Sequence, residues 1–196
     1  MGGNFLISKN KNAYIKYSMQ VLGFVLILGI ALWLATALQD AGAIKEIVAQ
    51  YGYSGIFFVS ILGGFNLVSS VPVVAFVPVF LVAGLSQWLI IFAIVAGVTV
   101  ADMIAYGLGR AGKKIIPDSL ERVVHRIEKL RERHHLIPLI ALFFFAAFAP
   151  LPNEVLVIPM ALMGYRLLHI LPSVLLGNIV FNSLGAFGVI NIFELL

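Results

Sequence analysis

The sequence predicts an all-α integral membrane protein, built as an inverted repeat of a re-entrant helical hairpin followed by a transmembrane helix. Composition, long uncharged runs and a repeated register of special residues predict this fold. Hydrophobic residues make up 61% of the chain and charged residues 11%, whereas a soluble domain typically carries about 25% charged residues. The chain therefore has too few charges to cover a surface in water, and the same numbers exclude disorder.

The absence of cysteine and the placement of the charges limit the function further. Without cysteine the chain has no disulfides, no thiol catalysis and no zinc–thiolate site. The net charge is +4, and the basic residues lie at the edges of apolar segments. Their predicted partners are therefore anionic lipid headgroups and not nucleic acid.

The first uncharged run predicts an N-terminal transmembrane helix within an anchor and connector region, residues 1–50. It covers residues 17–39, directly after three lysines, and a span needs about 20 residues. A cleaved signal peptide is the alternative, because Ala35-Thr36-Ala37 resembles a small-x-small cleavage site. The retained helix is favoured because signal-peptide cores are usually about 7–15 residues long.

Charge placement also predicts the topology of the rest of the chain. The positive-inside rule places residues 9–16 and 110–133 in the cytoplasm, so an even number of crossings separates them. Residues 17–39 and 88–109 supply two crossings. Residues 52–85 are too few for two further spans of about 20 residues each, which favours a re-entrant hairpin. We expect a cell-membrane protein with its N-terminus and residues 110–135 cytoplasmic.

Residues 118–134 form a predicted amphipathic helix between the two halves. Asp118 precedes it as a cap, with Glu121 three residues on. Apolar residues recur at steps of three and four and form one stripe: Leu120, Val123, Val124, Ile127 and Leu130. Two interpretations remain open at this point. The helix lies on the membrane surface with its basic face towards headgroups, or it is a solvated cytoplasmic connector.

A shift of 80 residues superposes special residues of the membrane domain, residues 51–196, on one another. It takes Pro72 to Pro152, Gly84 to Gly164, Gly97 to Gly177, Phe65 to Phe145, and Asp102 to Asn182. The two copies, about 52–110 and 136–190, start on opposite sides of the membrane and are therefore inverted, which is typical of secondary transporters. The predicted tip and helix-packing residues are Pro72, Pro78, Pro150, Pro152, Pro159, Gly84, Gly164, Gly97 and Gly177.

Two acids inside apolar runs are the leading candidates for function. Glu154 and Asp102 each interrupt a stretch where a carboxylate costs several kcal/mol unless it is paired, hydrated or protonated. We expect them to be proton or cation sites. Glu154 is alternatively an acid at a helix N-terminus, held by free N–H groups and the dipole. The predicted neutral partners are Asn153, Asn178 and Asn182, although the last two could simply join helices.

Arg110 and Arg166 are candidate contacts for lipid headgroups, with Arg166 alternatively a snorkelling interface residue. The G-x-G-x-x-G pattern of residues 107–112 lacks the preceding strand that dinucleotide binding requires. No metal-ligand spacing and no nucleophile–base set is visible. We therefore expect neither an enzyme nor a resident cofactor, only a coupling proton or sodium ion.

The stretch from Gly97 to Gly112 resembles the DedA/VTT superfamily of membrane proteins, once labelled SNARE-associated. Gly97-x(4)-Asp102-x(3)-Tyr106-x(2)-Gly109-Arg110-x-Gly112 is similar to its G-D-x-x-x-Y-x-x-G-R pattern, with Ala101 where glycine is usual. Phe148-x-Pro150-x-Pro152-x(6)-Pro159-x(4)-Gly164 resembles its second hairpin. The chain departs from the pattern at Ala149 and Val155, where many members carry arginine, and at residues 73–75, which lack an acid.

The resemblance implies lipid handling: phospholipid scrambling, or flipping of polyprenyl-phosphate carriers, driven by protons or sodium. Our leading hypothesis is therefore a lipid transporter whose partners are membrane lipids, and a homo-oligomer is compatible with it. The alternatives are an ion-coupled exporter of small solutes and a non-transporting scaffold or assembly factor.

Overall fold

The computed structural model describes residues 22–23, 25–36, 42–64, 73–112, 118–134 and 136–195, and every regular element in these ranges is helical. The helices are α1 (Val25–Thr36), α2 (Gly42–Gly64), α3 (Val77–Val82, preceded by a 3-10 turn at Val73–Phe76), α4 (Gln87–Ala111), α5 (Asp118–Arg133), α6 (Ile137–Phe148), α7 (Glu154–Leu162) and α8 (Leu167–Glu194). The predicted all-α class is confirmed. Pro72, Phe65, Lys9, Lys11 and Lys16 lie outside the described residues, as do the side chains of Asp118 and Glu121.

Two helices, α4 and α8, are long and apolar enough to cross a membrane, with 25 and 28 residues. They run antiparallel. The Trp88 ring at the start of α4 meets the Phe187 ring near the end of α8, with centroids 5.9 Å apart. At the other end of α4, the Tyr106 hydroxyl donates to the Tyr165 carbonyl oxygen just before α8, at 2.9 Å.

Each long helix carries a glycine where a second helix comes close. A Cβ at Gly97 would collide with the backbone of Phe57 and lie 2.6 Å from the Ser60 Cβ, both on α2. A Cβ at Gly177 would collide with Ala146 on α6. Only a residue without a side chain permits either approach.

Both short segments that precede the long helices end in the same turn. Gly84 has φ +89° and Gly164 has φ +85°, values that L-residues with a Cβ rarely adopt. In the first turn the Leu85 N–H donates to the Phe80 carbonyl, and in the second the Tyr165 N–H donates to the Met160 carbonyl, each at 3.1 Å. These bonds close a Schellman-type C-terminus, after which α4 and α8 begin.

The 80-residue shift relates the two turns to each other and the two long helices to each other. It does not relate α2 to α6, which precede the turns. Gly177 meets Phe143 and Ala146 as Gly97 meets Phe57 and Ser60, which is a shift of 86 residues. The reason is that the chain between α2 and α3 is longer than the chain between α6 and α7. Phe65 lies outside the described residues, so its match with Phe145 stays a prediction.

The two turns lie at opposite ends of α4. On α2, Gly52 packs against Leu85 beside the first turn, and Gly64 packs against Ala101 halfway along α4. α3 then returns to the start of α4. In the second half, α7 passes Gly109 of α4 through Ile158 and Ala161 and ends beside the last turn of that helix.

The apolar stripe of α5 faces the protein. Val124 and Ile127 are buried, and Ile127 is 4% exposed within a cluster that includes Leu142 of α6 and Met160 of α7. Protein therefore covers the apolar face of α5, and Arg126, Lys129 and Arg131 lie on its exposed face. Both interpretations of α5 stay open: a helix on the membrane surface with its basic face towards headgroups, or a solvated connector. The helix predicted for residues 118–134 is present over Asp118–Arg133.

Candidate functional site

A polar layer separates two apolar clusters inside the helical bundle. Along α4 the chain passes from the first cluster through the polar layer into the second, at Ile94, Thr99, Asp102 and Ala105. Along the antiparallel α8 it passes through them in the reverse order, at Val174, Asn178, Asn182 and Ala186. The polar residues therefore share one level, which lies at mid-length of both long helices.

Asp102 is the centre of this layer and is only 3% exposed. Its Oδ2 atom accepts hydrogen bonds from the side-chain amides of Asn178 at 2.9 Å and Asn153 at 3.1 Å. Two N–H donors on one carboxylate oxygen offset part of the cost of burying its charge. Among the described residues, no hydrogen bond joins Asp102 to a basic side chain.

Asn178 connects three elements through its side chain. Its Nδ2 atom donates to Asp102 and to Thr99 Oγ1 on α4, the second bond at 3.2 Å. Its Oδ1 atom accepts from Asn153 Nδ2 at 3.0 Å. Of the two interpretations of Asn178, joining helices is confirmed, and the residue also belongs to the acid site.

Asn182 lies in the layer but bonds within its own helix. Its Nδ2 atom donates to the backbone carbonyl of Asn178 at 2.8 Å. Asn182 is buried beside the network, and its described bond stabilises α8 without linking α8 to α4.

Glu154 is 1% exposed and is the first residue of α7. It directly follows Asn153, whose side-chain amide donates to Asp102 at 3.1 Å, so Glu154 lies in the same layer. Its position in the first helical turn also matches the alternative of a carboxylate held at a helix N-terminus. The two interpretations are compatible, because the same helix start lies in the polar layer.

Prolines explain why two polar side chains enter the bundle at this depth. Pro150 and Pro152 lie in the five-residue stretch between α6 and α7, where the backbone turns extended at Ala149. Proline lacks an N–H donor and disfavours helix in the residue before it. The helix therefore stops at Phe148 and restarts at Glu154, which places Asn153 and Glu154 beside Asp102.

The described residues directly before α3 supply no counterpart to these side chains. Val73, Val74 and Ala75 are all buried and apolar, and Val74 packs against Gly185 of α8. Within the described ranges, the layer receives polar groups from the stretch between α6 and α7 and none from the residues before α3. Asn153 and Glu154 in the sequence indicated this.

The two predicted arginines lie apart from the acids. Arg110 is exposed in the last turn of α4, and Arg166 is exposed directly before α8. Arg110 Nη1 lies 3.8 Å from the position of a Cβ at Gly164. Both therefore belong to the end of the bundle that holds the second turn.

Thr99 and Ser60 are the buried polar residues that the sequence did not single out. Thr99 lies three residues before Asp102, on the same helix face, and that spacing could have revealed it. Ser60 is fully buried against Gly97, and its Oγ atom has no hydrogen-bond partner among the described residues. A lone serine in an apolar helix gives no comparable signal.

The layer contains two carboxyl groups, three amides and one hydroxyl between two apolar clusters. Such a set can hold a proton or a small monovalent cation, because either one neutralises part of the paired negative charge. No group of three or more histidine, aspartate or glutamate side chains that could hold a metal ion occurs in the described part of the chain.

Comparison of the chain with protein-family models, with curated proteins and with solved structures finds no match. The resemblance to the DedA/VTT superfamily therefore stays a prediction.

Proposed function

We propose that this chain is an integral membrane transporter of lipids, coupled to a proton or a monovalent cation. The observation that carries the proposal is the buried polar layer with Asp102 and Glu154. It lies between two apolar clusters, at the level where α2 and α6 end.

Exposed apolar side chains support placement of α4 and α8 in a bilayer. Trp88 and Phe92 on α4 and Leu168 on α8 are 67%, 70% and 77% exposed, and further large apolar residues are exposed along both helices. Helices that are apolar on their outer as well as their inner faces are typical of membrane spans.

The geometry of the broken segments supports two re-entrant hairpins in an inverted repeat. α6 and α7 have 12 and 9 residues, about 18 and 14 Å at the helical rise per residue, or half of a bilayer core of about 30 Å. α2 covers a similar distance from the level of Leu85 to that of Ala101. Each hairpin then returns to its own end of α4.

The polar layer supports ion coupling. Broken backbone at membrane depth is tolerated where it is buried in protein or faces a wet cavity, and buried acids there mark ion pathways. In this proposal Asp102 and Glu154 share one proton or cation. Thr99, Asn153 and Asn178 supply the surrounding hydrogen-bonding groups.

Lipid as the cargo is what the superfamily resemblance implies. The exposed apolar sides of α4 and α8 suit it, because lipid tails can stay in the bilayer while a polar headgroup passes the polar layer. The missing arginines at Ala149 and Val155 mean that the headgroup would meet amides and acids there.

The test is lipid translocation in proteoliposomes with a fluorescent phospholipid, with and without a proton gradient. We expect Asp102→Asn and Glu154→Gln each to slow translocation at least about tenfold, the scale of a lost charge interaction. Glu128→Gln on the exposed face of α5 removes the same charge outside the layer and should retain wild-type rates. Wild-type rates in both layer variants would remove these acids from the mechanism.

Ion-coupled export of a small solute is the second candidate. Enclosure of the polar layer between two apolar clusters favours it, because a small solute fits such a site without a lateral opening. The same vesicles then show a solute flux that depends on the pH gradient and no lipid movement. Folded wild-type protein that moves neither cargo would indicate the scaffold alternative.

A further inference from the structure

Arginines from three parts of the chain lie beside the second turn. Arg110 ends α4, Arg131 lies on α5, and Arg166 precedes α8. Arg110 Nη1 lies 3.8 Å from the Cβ position of Gly164, and the Arg131 guanidinium lies 5.3 Å from the centre of the Tyr165 ring. All three side chains are exposed.

The turn itself is held rigidly. Gly164 adopts φ +85°, and the Tyr165 N–H donates to the Met160 carbonyl. The Tyr165 carbonyl in turn accepts the Tyr106 hydroxyl from α4. These bonds hold α4 and the start of α8 together at the turn, so the backbones that carry Arg110 and Arg166 stay close to each other.

The positive charge at this turn is not compensated within the described residues. No ion pair involving Arg110, Arg131 or Arg166 occurs in those ranges. Burial raises the pKa of Tyr165, and Arg131 offsets this rise only partly, so the phenol stays neutral at physiological pH. Glu128 and Glu132 on α5 are exposed and form no such pair there. Three arginines beside one turn, without an ion pair among the described residues, favour an anionic ligand there.

Comparison with the first turn shows that the backbone geometry of such a turn does not by itself require arginines beside it. The first turn has the same backbone at Gly84, but Leu85 and Ser86 stand where Tyr165 and Arg166 stand in the second turn. The space beside Gly84 is empty within 4 Å, whereas Arg110 reaches Gly164. Among the described residues, the arginines therefore lie at the second turn and not at the first.

We infer that Arg110, Arg131 and Arg166 form a binding site for the phosphate of an anionic phospholipid in the leaflet that faces α5. This inference rests on the membrane placement of α4 and α8 proposed above. Arg110 and Arg166 lie at the ends of those two helices, which is the depth of the headgroups. Planar guanidinium groups bind phosphate oxygens in pairs of hydrogen bonds, and the acyl tails lie along the exposed apolar sides of α4 and α8.

The test is the melting temperature of the full chain in a neutral detergent, titrated with phosphatidylglycerol, phosphatidylcholine or inorganic phosphate. We expect stabilisation by phosphatidylglycerol, and a roughly tenfold weaker apparent affinity when Arg110→Gln and Arg131→Gln are combined. The matched control combines Arg126→Gln with Lys129→Gln, which removes two charges from the exposed face of α5. It should bind phosphatidylglycerol like wild type.

Equal weakening in the test and control pairs would overturn the site, because it would show general surface charge. Equal stabilisation by inorganic phosphate would show a soluble anion as the ligand, and equal stabilisation by phosphatidylcholine would show no preference for anionic lipid. Arg166→Gln alone serves if the paired variant does not fold. It should weaken binding roughly threefold, and no change would overturn the proposal. Binding in detergent requires no transport, so this result is independent of Asp102 and Glu154.

Discussion

Asn178 is the residue on which the polar layer depends most for its structure. One side chain bonds Asp102, Thr99 and Asn153, and so joins α8 to α4 and to the start of α7. Removing a partner from a buried network leaves the other groups unsatisfied, which costs about 1–3 kcal/mol for each group.

We therefore expect Asn178→Leu to lower the free energy of unfolding by about 2–4 kcal/mol, since several buried polar groups lose their partner at once. Denaturant titration in detergent micelles measures this. Asn191→Leu makes the same change at an exposed position of the same helix and should change stability by less than about 0.5 kcal/mol. Equal effects of the two substitutions would contradict a hydrogen-bonded layer.

The residues of this layer were largely predictable, for a physical reason. A carboxylate or amide inside a long apolar run is costly, so its presence indicates a function or a partner, and all five predicted residues lie together. Thr99 was missed because threonine is common in apolar helices. The pairing of Asn178 with Asp102 was not predictable, because it depends on how two distant helices pack.

At the level of elements, the helix breaks and turns were predictable and the packing faces were not. Pro150 and Pro152 fix the break between α6 and α7 by local chemistry. The direction of the α5 stripe was not determined by sequence, because an apolar stripe fits a lipid surface and a protein surface equally. Because the chain between α2 and α3 is longer than that between α6 and α7, α2 and α6 correspond at a shift of 86 residues, which the 80-residue shift in the sequence did not reveal.

Because Gly97 and Gly177 lie where a second helix comes close, we expect glycines of the same helix to differ sharply in how much substitution by alanine changes stability. We expect Gly97→Ala and Gly177→Ala each to destabilise the fold by about 1–3 kcal/mol, because the new methyl groups collide with α2 and α6. Gly107→Ala on α4 and Gly188→Ala on α8 meet no atom within 4 Å. They should leave stability unchanged or raise it by up to about 1 kcal/mol, since alanine favours helix.

Melting temperatures of the four purified variants, compared at one detergent concentration, check this prediction. Destabilisation at Gly107 and Gly188 as large as at Gly97 and Gly177 would contradict the described helix pairs.

At the level of the whole molecule, the two halves around α4 differ in charge. Among the described residues, the second half brings Asn153 and Glu154 to the middle and has arginines beside its turn. The described residues of the first half bring no charged side chain to either place. In the proposed inverted arrangement, the second half therefore supplies the charged groups.

The most direct test of this architecture uses the absence of cysteine in the chain. Single cysteines at Ser86 and Arg166, both exposed, are reacted in oriented membrane vesicles with a membrane-impermeant maleimide, and His125→Cys marks the side on which α5 lies. Inverted hairpins predict that the cysteine at position 166 is labelled from the same side as that at 125, and the cysteine at 86 from the opposite side. Labelling of positions 86 and 166 from one and the same side would contradict the inversion and, with it, the proposed transport route through the layer.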